Sequence, residues 1–555
     1  MGKGIDADVL IVGAGPIGLF SALLLARRGL RSIIVERHAS PLQAPKAHVN
    51  SPRTLEIFRA EGLDVDLMRR SGTRPEDSRV IRFRASLKGR EYSVIPYERQ
   101  DEAVRELTPE PLANIPQPVL EKLLEDEVVR EGRIQLRRRC SWRSVVQENG
   151  ACRSVVEQDN DSSVVETRYL LGCDGAGSSV RSGLGIPMEG VAHVQSCLTI
   201  HFHANLRHVV GDGTAMIYWV INADVAGALI AHDIDSNWVF LRFDGLNPRD
   251  NQPTTAEEAH RIIRAAIGAD AEFEIKRIVP WTMTAEVATS YRNGNVFLVG
   301  DAAHRFPPAG GLGLNTGIQD AHNLTWKLAA VDQGWASPEL LDTYEAERRF
   351  VAQANSAQSL SNMLTAPRLA LAMAAAAPYE NEALPDHIAQ ELEQAIISNS
   401  VTFDCLGLHL GFSYDPDRPL PPAPNVYEPR AAAGDRLPHA WLGAAENGRS
   451  VLDLLATDKF TIFATGSGPQ FADQVRECFG SVPVKVVEVD RELGLPGSWL
   501  ALTGLDRPAC LMVRPDGHVL AHVDGAGAQS LNALSNSVVK LCGAVSSKHL
   551  AQALA

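Results

Sequence analysis

The sequence predicts an α/β protein: a discontinuous Rossmann-like nucleotide-binding domain with an inserted antiparallel β-sheet, followed by a smaller α/β domain. Three observations carry this expectation. Three apolar runs broken by glycine lie far apart in the chain, the stretches between them alternate apolar and polar residues, and a proline-rich segment at 416–429 sets off the final part.

The first run is Val9-Leu10-Ile11-Val12-Gly13-Ala14-Gly15-Pro16-Ile17-Gly18. A buried strand enters a turn at Gly13, Gly15 lets the backbone approach a pyrophosphate, and Gly18 lets helix and strand pack closely. The phosphates would sit at the positive end of a helix over residues 19–28. A second strand, Ser32-Ile33-Ile34-Val35, ends in Glu36 about 20 residues beyond the glycines, where a carboxylate can bind a ribose diol. Pro16, Ile17 and the neighbouring Arg37 complete the cofactor-binding candidates of this unit.

The second run is Leu170-Leu171-Gly172-Cys173-Asp174-Gly175-Ala176-Gly177, and the third is Val296-Phe297-Leu298-Val299-Gly300-Asp301-Ala302-Ala303-His304. One such run alone is weak evidence; the three in this order describe a single bound flavin. Past the third run, Pro307 and Pro308 fix the backbone, while Gly310, Gly311 and Gly313 allow a flat ring to approach the main chain. Helical patterning over 315–330 then offers N–H groups and a dipole to the negative charge of a reduced flavin at N1 and the C2 carbonyl. Leu314 and Asn315 lie at that entry.

The stretch His304-Arg305-Phe306-Pro307-Pro308-Ala309-Gly310-Gly311-Leu312-Gly313-Leu314-Asn315-Thr316-Gly317-Ile318-Gln319-Asp320 resembles the class A FAD-dependent aromatic monooxygenases, within them the phenol and 2,4-dichlorophenol hydroxylase group. The resemblance covers about the first 415 residues closely. It implies non-covalent FAD, NADPH or NADH as a transient co-substrate, O2, and hydroxylation of a phenolic or related aromatic substrate through a C4a-hydroperoxyflavin. It also implies that Asp174 and Gly175, with Arg181 following, lie near the pyrophosphate and the path of the pyridine nucleotide. Gly300 and Asp301 would hold the ribityl and phosphate part, Gln117 the ribityl chain, and Arg53 the cofactor. Baeyer-Villiger-type oxygenation, oxidase or reductase chemistry, and FAD binding without turnover are the alternatives.

For catalysis the candidates are His48, Trp281, Arg242, Tyr218 and Pro307. His48 falls in the loop Ala44-Pro45-Lys46-Ala47-His48, which the resemblance places beside the flavin ring. A histidine titrating near neutral pH suits removal of a phenol proton, and a loop histidine holding a local hydrogen bond is the competing reading. Tyr218, Arg242 and Trp281 fall on strand-like segments that could face a cavity. Trp219 shares that property.

The flavin domain is expected to comprise 1–75, 105–190 and 281–345. Residues 76–104 and 191–280 would form the substrate-binding sheet, with Cys197-Leu198-Thr199-Ile200-His201-Phe202 as one of its alternating runs. A helical segment at 346–414 packs on the flavin domain, and a proline-rich linker spans 415–435. Residues 436–555 contain strand-like runs, a hairpin about Arg514-Pro515-Asp516-Gly517 and a final helix. By resemblance this part is thioredoxin-like. It carries no CxxC, so a packing or homodimer-forming role is expected rather than thiol chemistry.

A formal charge of -14 over 555 residues argues against a nucleic-acid partner. The eight cysteines show no metal-ligand spacing and read as reduced, buried thiols. Residues 1–6 pass straight into the first strand, and the apolar run at 369–377 is too short for a bilayer, so a cytoplasmic protein without membrane contact is expected.

Overall fold

The computed structural model describes residues 5–41, 46–243, 255–379, 382–418, 421, 423–443 and 448–543. Ala44 and Pro45 of the His48 loop, Pro419 and Pro422 of the expected linker, and the last twelve residues of the expected C-terminal domain lie outside them.

The nucleotide-binding sheet is built around parallel strands. Its order is Arg292–Asn293, Val296–Leu298, Asp161–Gly172, Ala7–Val12, Ser32–Glu36 and Ile134–Arg138, with a hairpin of Cys140–Glu148 and Ala151–Gln158 at its side. Ala7–Val12 pairs in parallel with Asp161–Gly172 on one side and Ser32–Glu36 on the other. All six residues of Ala7–Val12 are buried, as expected for a central strand covered by helices on both faces. The three glycine runs thus end at one edge of one sheet, although over a hundred residues separate each from the next.

The inserted sheet is mostly antiparallel, in the order His304–Arg305, Glu274–Ala288, Met188–His203, Asn237–Phe243, Ala226–Asp233, Ile217–Ile221, Val80–Arg84 and Glu91–Pro96. Ile217–Ile221 pairs with Val80–Arg84 in parallel. The strand Glu274–Ala288 continues past 280, and His304–Arg305 pairs with its end, so the third glycine run is stitched directly to this sheet.

Strand alternation gives the sheet two unlike faces. Leu198, Ile200, Phe202, Tyr218, Leu229, Trp238 and Phe240 form a core with the helix Ala256–Ile267. The opposite face carries Ile217, Trp219, Ala228 and Ile230, covered by the long helix Asp342–Ala376 and by Asp386–Ser400.

The C-terminal sheet runs Val484–Glu488, Phe460–Thr465, Ala509–Val513, Val519–Asp524, its first pair parallel and the others antiparallel, with helices Phe471–Phe479 and Ala528–Cys542. This is the thioredoxin-like α/β arrangement. Its core also takes in Trp326, Trp335 and Leu340 of the flavin-binding part, so it packs on that part as an integral neighbour. None of the eight cysteines is in a disulfide, and seven are buried. Among the described residues no helix is long and apolar enough to cross a membrane.

Candidate FAD and substrate site

The three glycines of the first run are required for different reasons. Gly13 has φ +107, and a Cβ there would meet the Cys173 carbonyl oxygen at 2.5 Å; a Cβ on Gly18 would collide with the Gly13 carbonyl. A Cβ on Gly15 would meet nothing within 4 Å. Gly13 and Gly18 therefore serve internal packing, whereas Gly15 presents bare backbone outward, as a pyrophosphate cradle needs. The helix that follows, Pro16–Arg27, starts without a side-chain cap. Its first N–H groups are left for an anion, in contrast with the helix Pro52–Ala60, whose Ser51 cap accepts from Thr54 N.

Glu36 ends its strand beside that turn. Its Oε2 accepts from Ala14 N at 2.9 Å and its Oε1 from His38 N at 2.8 Å, which fixes the carboxylate against the glycine turn. Arg37 is exposed next to it and bonds His38. Asp174 is committed differently: its carboxylate accepts from Ser178 Oγ, Ser179 N and Val180 N, capping the short helix Ser179–Gly183. The acid of the second run therefore shapes the turn that carries Gly175 (φ +80), while Arg181 donates to the Ala302 carbonyl and ties that turn to the third run.

Gly300 (φ +65) turns the third run so that Asp301 comes free of the sheet. The Asp301 side chain is exposed. Desolvation by the surrounding walls raises its carboxyl pKa, against the pull of His304, Lys46 and Arg305. The helix Leu312–Asp332 begins at Gly311, also at positive φ and also without a side-chain cap, and a Cβ on Gly313 would face open space. Pro307 is buried and Pro308 exposed, and Leu314 is half-buried beside the helix start. Ile17 packs against both Gly300 and Gly317, so the phosphate helix and the ring-facing helix are held at a fixed separation. Open backbone at Gly15 and Gly313, two uncapped helix starts and an acid between them fit a flavin dinucleotide. Gly15 and Asp301 would hold its pyrophosphate and ribityl parts, and the start of Leu312–Asp332 its ring.

Several side chains expected at the cofactor are engaged elsewhere. Asn315 Oδ1 accepts from Ser51 N at 2.9 Å and Thr54 Oγ1 at 2.7 Å, and its Nδ2 donates to Val49 O and Gly311 O. Only its main chain is left to face a ligand. Gln117 Nε2 donates to Glu121 Oε1 at 2.7 Å. Arg53 points away: its guanidinium donates to Asp516 O at 2.6 Å and pairs with Glu56 at 3.3 Å. The helix Pro52–Ala60 turns that side chain toward the C-terminal sheet, so Arg53 acts as an interdomain tie.

Two substrate-site expectations are corrected by strand parity. Tyr218 is fully buried on the outer face, donating to the Gly213 carbonyl at 2.9 Å, and Arg242 on the same face pairs with Glu258 of the covering helix at 3.4 Å. Trp219 shows the inner side of the same strand. Trp281 lies on the flavin-facing side, where its Nε1 donates to Thr199 Oγ1 at 2.9 Å and its ring packs with Cys197, Met283, Met363 and Ala309.

His48 is buried with its Nδ1 2.9 Å from Asn114 Oδ1. Because an amide oxygen only accepts, Nδ1 carries the proton and Nε2 is the basic atom. Burial lowers the His48 pKa to about 4, partly offset by Asn114, so the ring is neutral at pH 7 rather than titrating there. Its neighbours are the rings of His232 at 5.3 Å and Tyr97 at 6.3 Å. His232, Asn114, Tyr97 and the adjoining Glu98 were not singled out from sequence. The parity Ala228, Ile230, His232 could have flagged the first; the others depend on contacts across the fold. Glu98 is buried at φ +52 with its carboxylate accepting from Cys405 N at 3.1 Å, and burial raises its pKa to about 8.

Residues 6–359 match the FAD binding domain family and residues 430–544 the aromatic-ring hydroxylase C-terminal family. The chain is 33% identical over 550 residues to a tetracenomycin A2 monooxygenase-dioxygenase of Streptomyces glaucescens, covering 93% of each. It is 28% identical to a 2,4-dichlorophenol 6-monooxygenase of Cupriavidus pinatubonensis, covering 97% of each. A crystal structure of the flavin-dependent monooxygenase PieE with FAD and substrate superposes with a TM-score of 0.88 at 28% identity, over 97% of this chain and 100% of that one. A ternary complex of aklavinone-11 hydroxylase with FAD and aklavinone gives 0.81 at 26% identity, over 98% and 100%. The glycine cradle, the uncapped helix starts and these matches together show that the chain belongs to the FAD-dependent aromatic-ring hydroxylases and is an O2- and NAD(P)H-dependent aromatic monooxygenase.

Proposed function

We propose that the chain hydroxylates a polycyclic phenol at a ring carbon next to the ionised hydroxyl, with His48 receiving the phenol proton. The observation that supports this reading is the His48–Asn114 pair, which fixes the imidazole tautomer and leaves Nε2 as its acceptor atom. FAD supplies the activation of O2 for transfer of one oxygen atom. The protein orients the ring, excludes water and takes up the proton, so that the phenolate carbon is electron-rich when oxygen arrives.

The polycyclic assignment is supported by Trp281 and Ala309, which stay partly exposed over the buried Cys197, Met283 and Met363 and offer an apolar surface to a flat ring system. Relatives named for tetracenomycins and aklavinone add to it. Eight cysteines without a disulfide, in a chain of net charge -14, suit a reducing cytoplasm.

His48→Ala tests the assignment. FAD content and flavin reduction by NAD(P)H should persist, while the hydroxylation rate falls by about 10²- to 10⁴-fold, the usual span of acid–base catalysis. Oxygen consumed without product should appear as hydrogen peroxide, and raising the pH toward the phenol's own pKa should restore product. Normal hydroxylation at neutral pH, or simple loss of FAD, would remove His48 from the mechanism.

A further inference from the structure

The loop that faces the flavin ring is flanked by a buried hydrogen-bond donor without a partner. Asn362, on the helix Asp342–Ala376, is 4% exposed, and its Nδ2 has no hydrogen-bond partner among the described residues. The orientation of its amide is fixed at the other end, because Gln358 Nε2 donates to Asn362 Oδ1 at 2.7 Å. Nδ2 lies 3.1 Å from the point where a Cβ on Gly310 would sit, with Cys405 Sγ 3.3 Å from that same point. The next residue, Met363, and Ala366 one turn on from Asn362 pack with Trp281, Met283, Cys197 and Ala309. Asn362 therefore stands where the loop, the long helix and the inner face of the substrate sheet converge.

A buried amide N–H left unmade costs about 1–3 kcal/mol. A site that leaves one open toward a ligand discriminates for an acceptor at that position. We propose that Asn362 is a specificity-determining residue whose Nδ2 donates to a ring carbonyl oxygen of the substrate, which selects quinonoid or otherwise carbonyl-bearing polycyclic phenols over simple phenols. This rests on the polycyclic reading above. A flavin carbonyl is the other acceptor of the same chemistry. It is less suited, because the uncapped start of Leu312–Asp332 already offers backbone donors on its side, whereas Asn362 lies with residues that meet the substrate sheet.

The two sources separate in binding titrations with FAD-loaded protein, read from the visible spectrum of the bound flavin, using 1-hydroxyanthraquinone and 1-hydroxyanthracene. Wild-type protein should bind the anthraquinone more tightly. Asn362→Leu, and Asn362→Asp, which keeps the acceptor for Gln358 but replaces the donor, should each weaken it by about tenfold, the worth of one such bond. Neither should alter binding of 1-hydroxyanthracene. Equal losses for both probes, or a lower FAD affinity with unchanged probe preference, would overturn the proposal, the second outcome assigning the donor to the flavin. Wild-type protein that binds neither probe overturns the polycyclic reading together with this one, whereas variants that keep the wild-type preference overturn the role of Asn362 alone.

Discussion

The flavin-binding part has two polar faces that are built in opposite ways. Toward the C-terminal sheet, a set of charged groups is buried and bonded to one another. Arg514 holds Glu347 with bonds of 2.6 and 2.9 Å and Asp516 with bonds of 2.6 and 3.1 Å. Lys327 adds a bond of 2.7 Å to Glu347, and Trp326 Nε1 reaches Asp516 at 3.1 Å. Nearby, Arg436 is paired with both oxygens of Glu56 and with Tyr427 OH. Toward the cofactor-binding turns the pattern differs: Asp301 stands exposed, and the buried Asn362 Nδ2 has no partner among the described residues. Buried charges persist only where partners satisfy them, and an exposed acid beside the glycine turns fits a face that a ligand completes.

The hairpin turn at Arg514 shows how the thioredoxin-like sheet is attached. It is an ionic plug on the helix Leu312–Asp332, whose other end starts at Gly311. A second network reaches that region: Arg348 donates to Asp320 at 2.8 Å, and Asp320 in turn accepts from His304 at 2.8 Å and Gly300 N at 3.2 Å. The turn that presents Asp301 is thereby held from behind.

The largest expected effect lies on the committed face. Arg514→Leu leaves Glu347 and Asp516 buried beside too little positive charge and should cost about 3–5 kcal/mol of stability, read from thermal unfolding of the FAD-loaded protein. Burial alone would raise the Glu347 pKa, but Arg514 and Lys327 outweigh it and hold the carboxyl at about 2. Its contribution is accordingly present above its unfolded value of 4.5 and lost as pH falls from there toward 2. A variant that unfolds like wild type at pH 7 would show that the contrast between the faces is not energetic.

On the open face, Asp301→Ala should leave the fold intact and weaken FAD by about 1.5–3 kcal/mol, the range for a bond to a charged group. That is roughly 10- to 150-fold in dissociation constant, measured by flavin fluorescence. Full flavin occupancy in that variant at cofactor concentrations near the wild-type Kd would refute its role.

The smallest effect sharpens the boundary between the faces. Glu98 is buried without a cation bonded to it, and burial raises its pKa from 4.5 to about 8. The folded state thus favours the neutral acid, and stability is lost progressively as pH rises from 4.5 through about 8. Glu98→Gln should remove that loss, raising the melting temperature above pH 8 by a few degrees while changing little below pH 5. An unchanged alkaline melting curve would mean that Glu98 is ionised in the fold.

Much of the cofactor site was legible along the chain because glycine reports backbone needs that are local. Gly13 and Gly300 are demanded by their own positive φ, Gly18 by close packing on the Gly13 carbonyl, and Glu36 by its place at the end of a strand. Side-chain destinations followed another rule. Tyr218 and Trp219 are neighbours in sequence with equal claims on a cavity, yet the sheet's two-residue period sends one to the outer core and the other inward. Arg53 lies beside the flavin segments in sequence and still bonds to Asp516, 463 residues away. The glycine signature and strand patterning were determined by sequence because they depend on one residue's own conformational range and on short-range alternation. Which face each strand turns inward, which donors are already spent, and how far burial shifts His48 and Glu98 were decided only in the tertiary structure, because each depends on partners and desolvation supplied by distant segments.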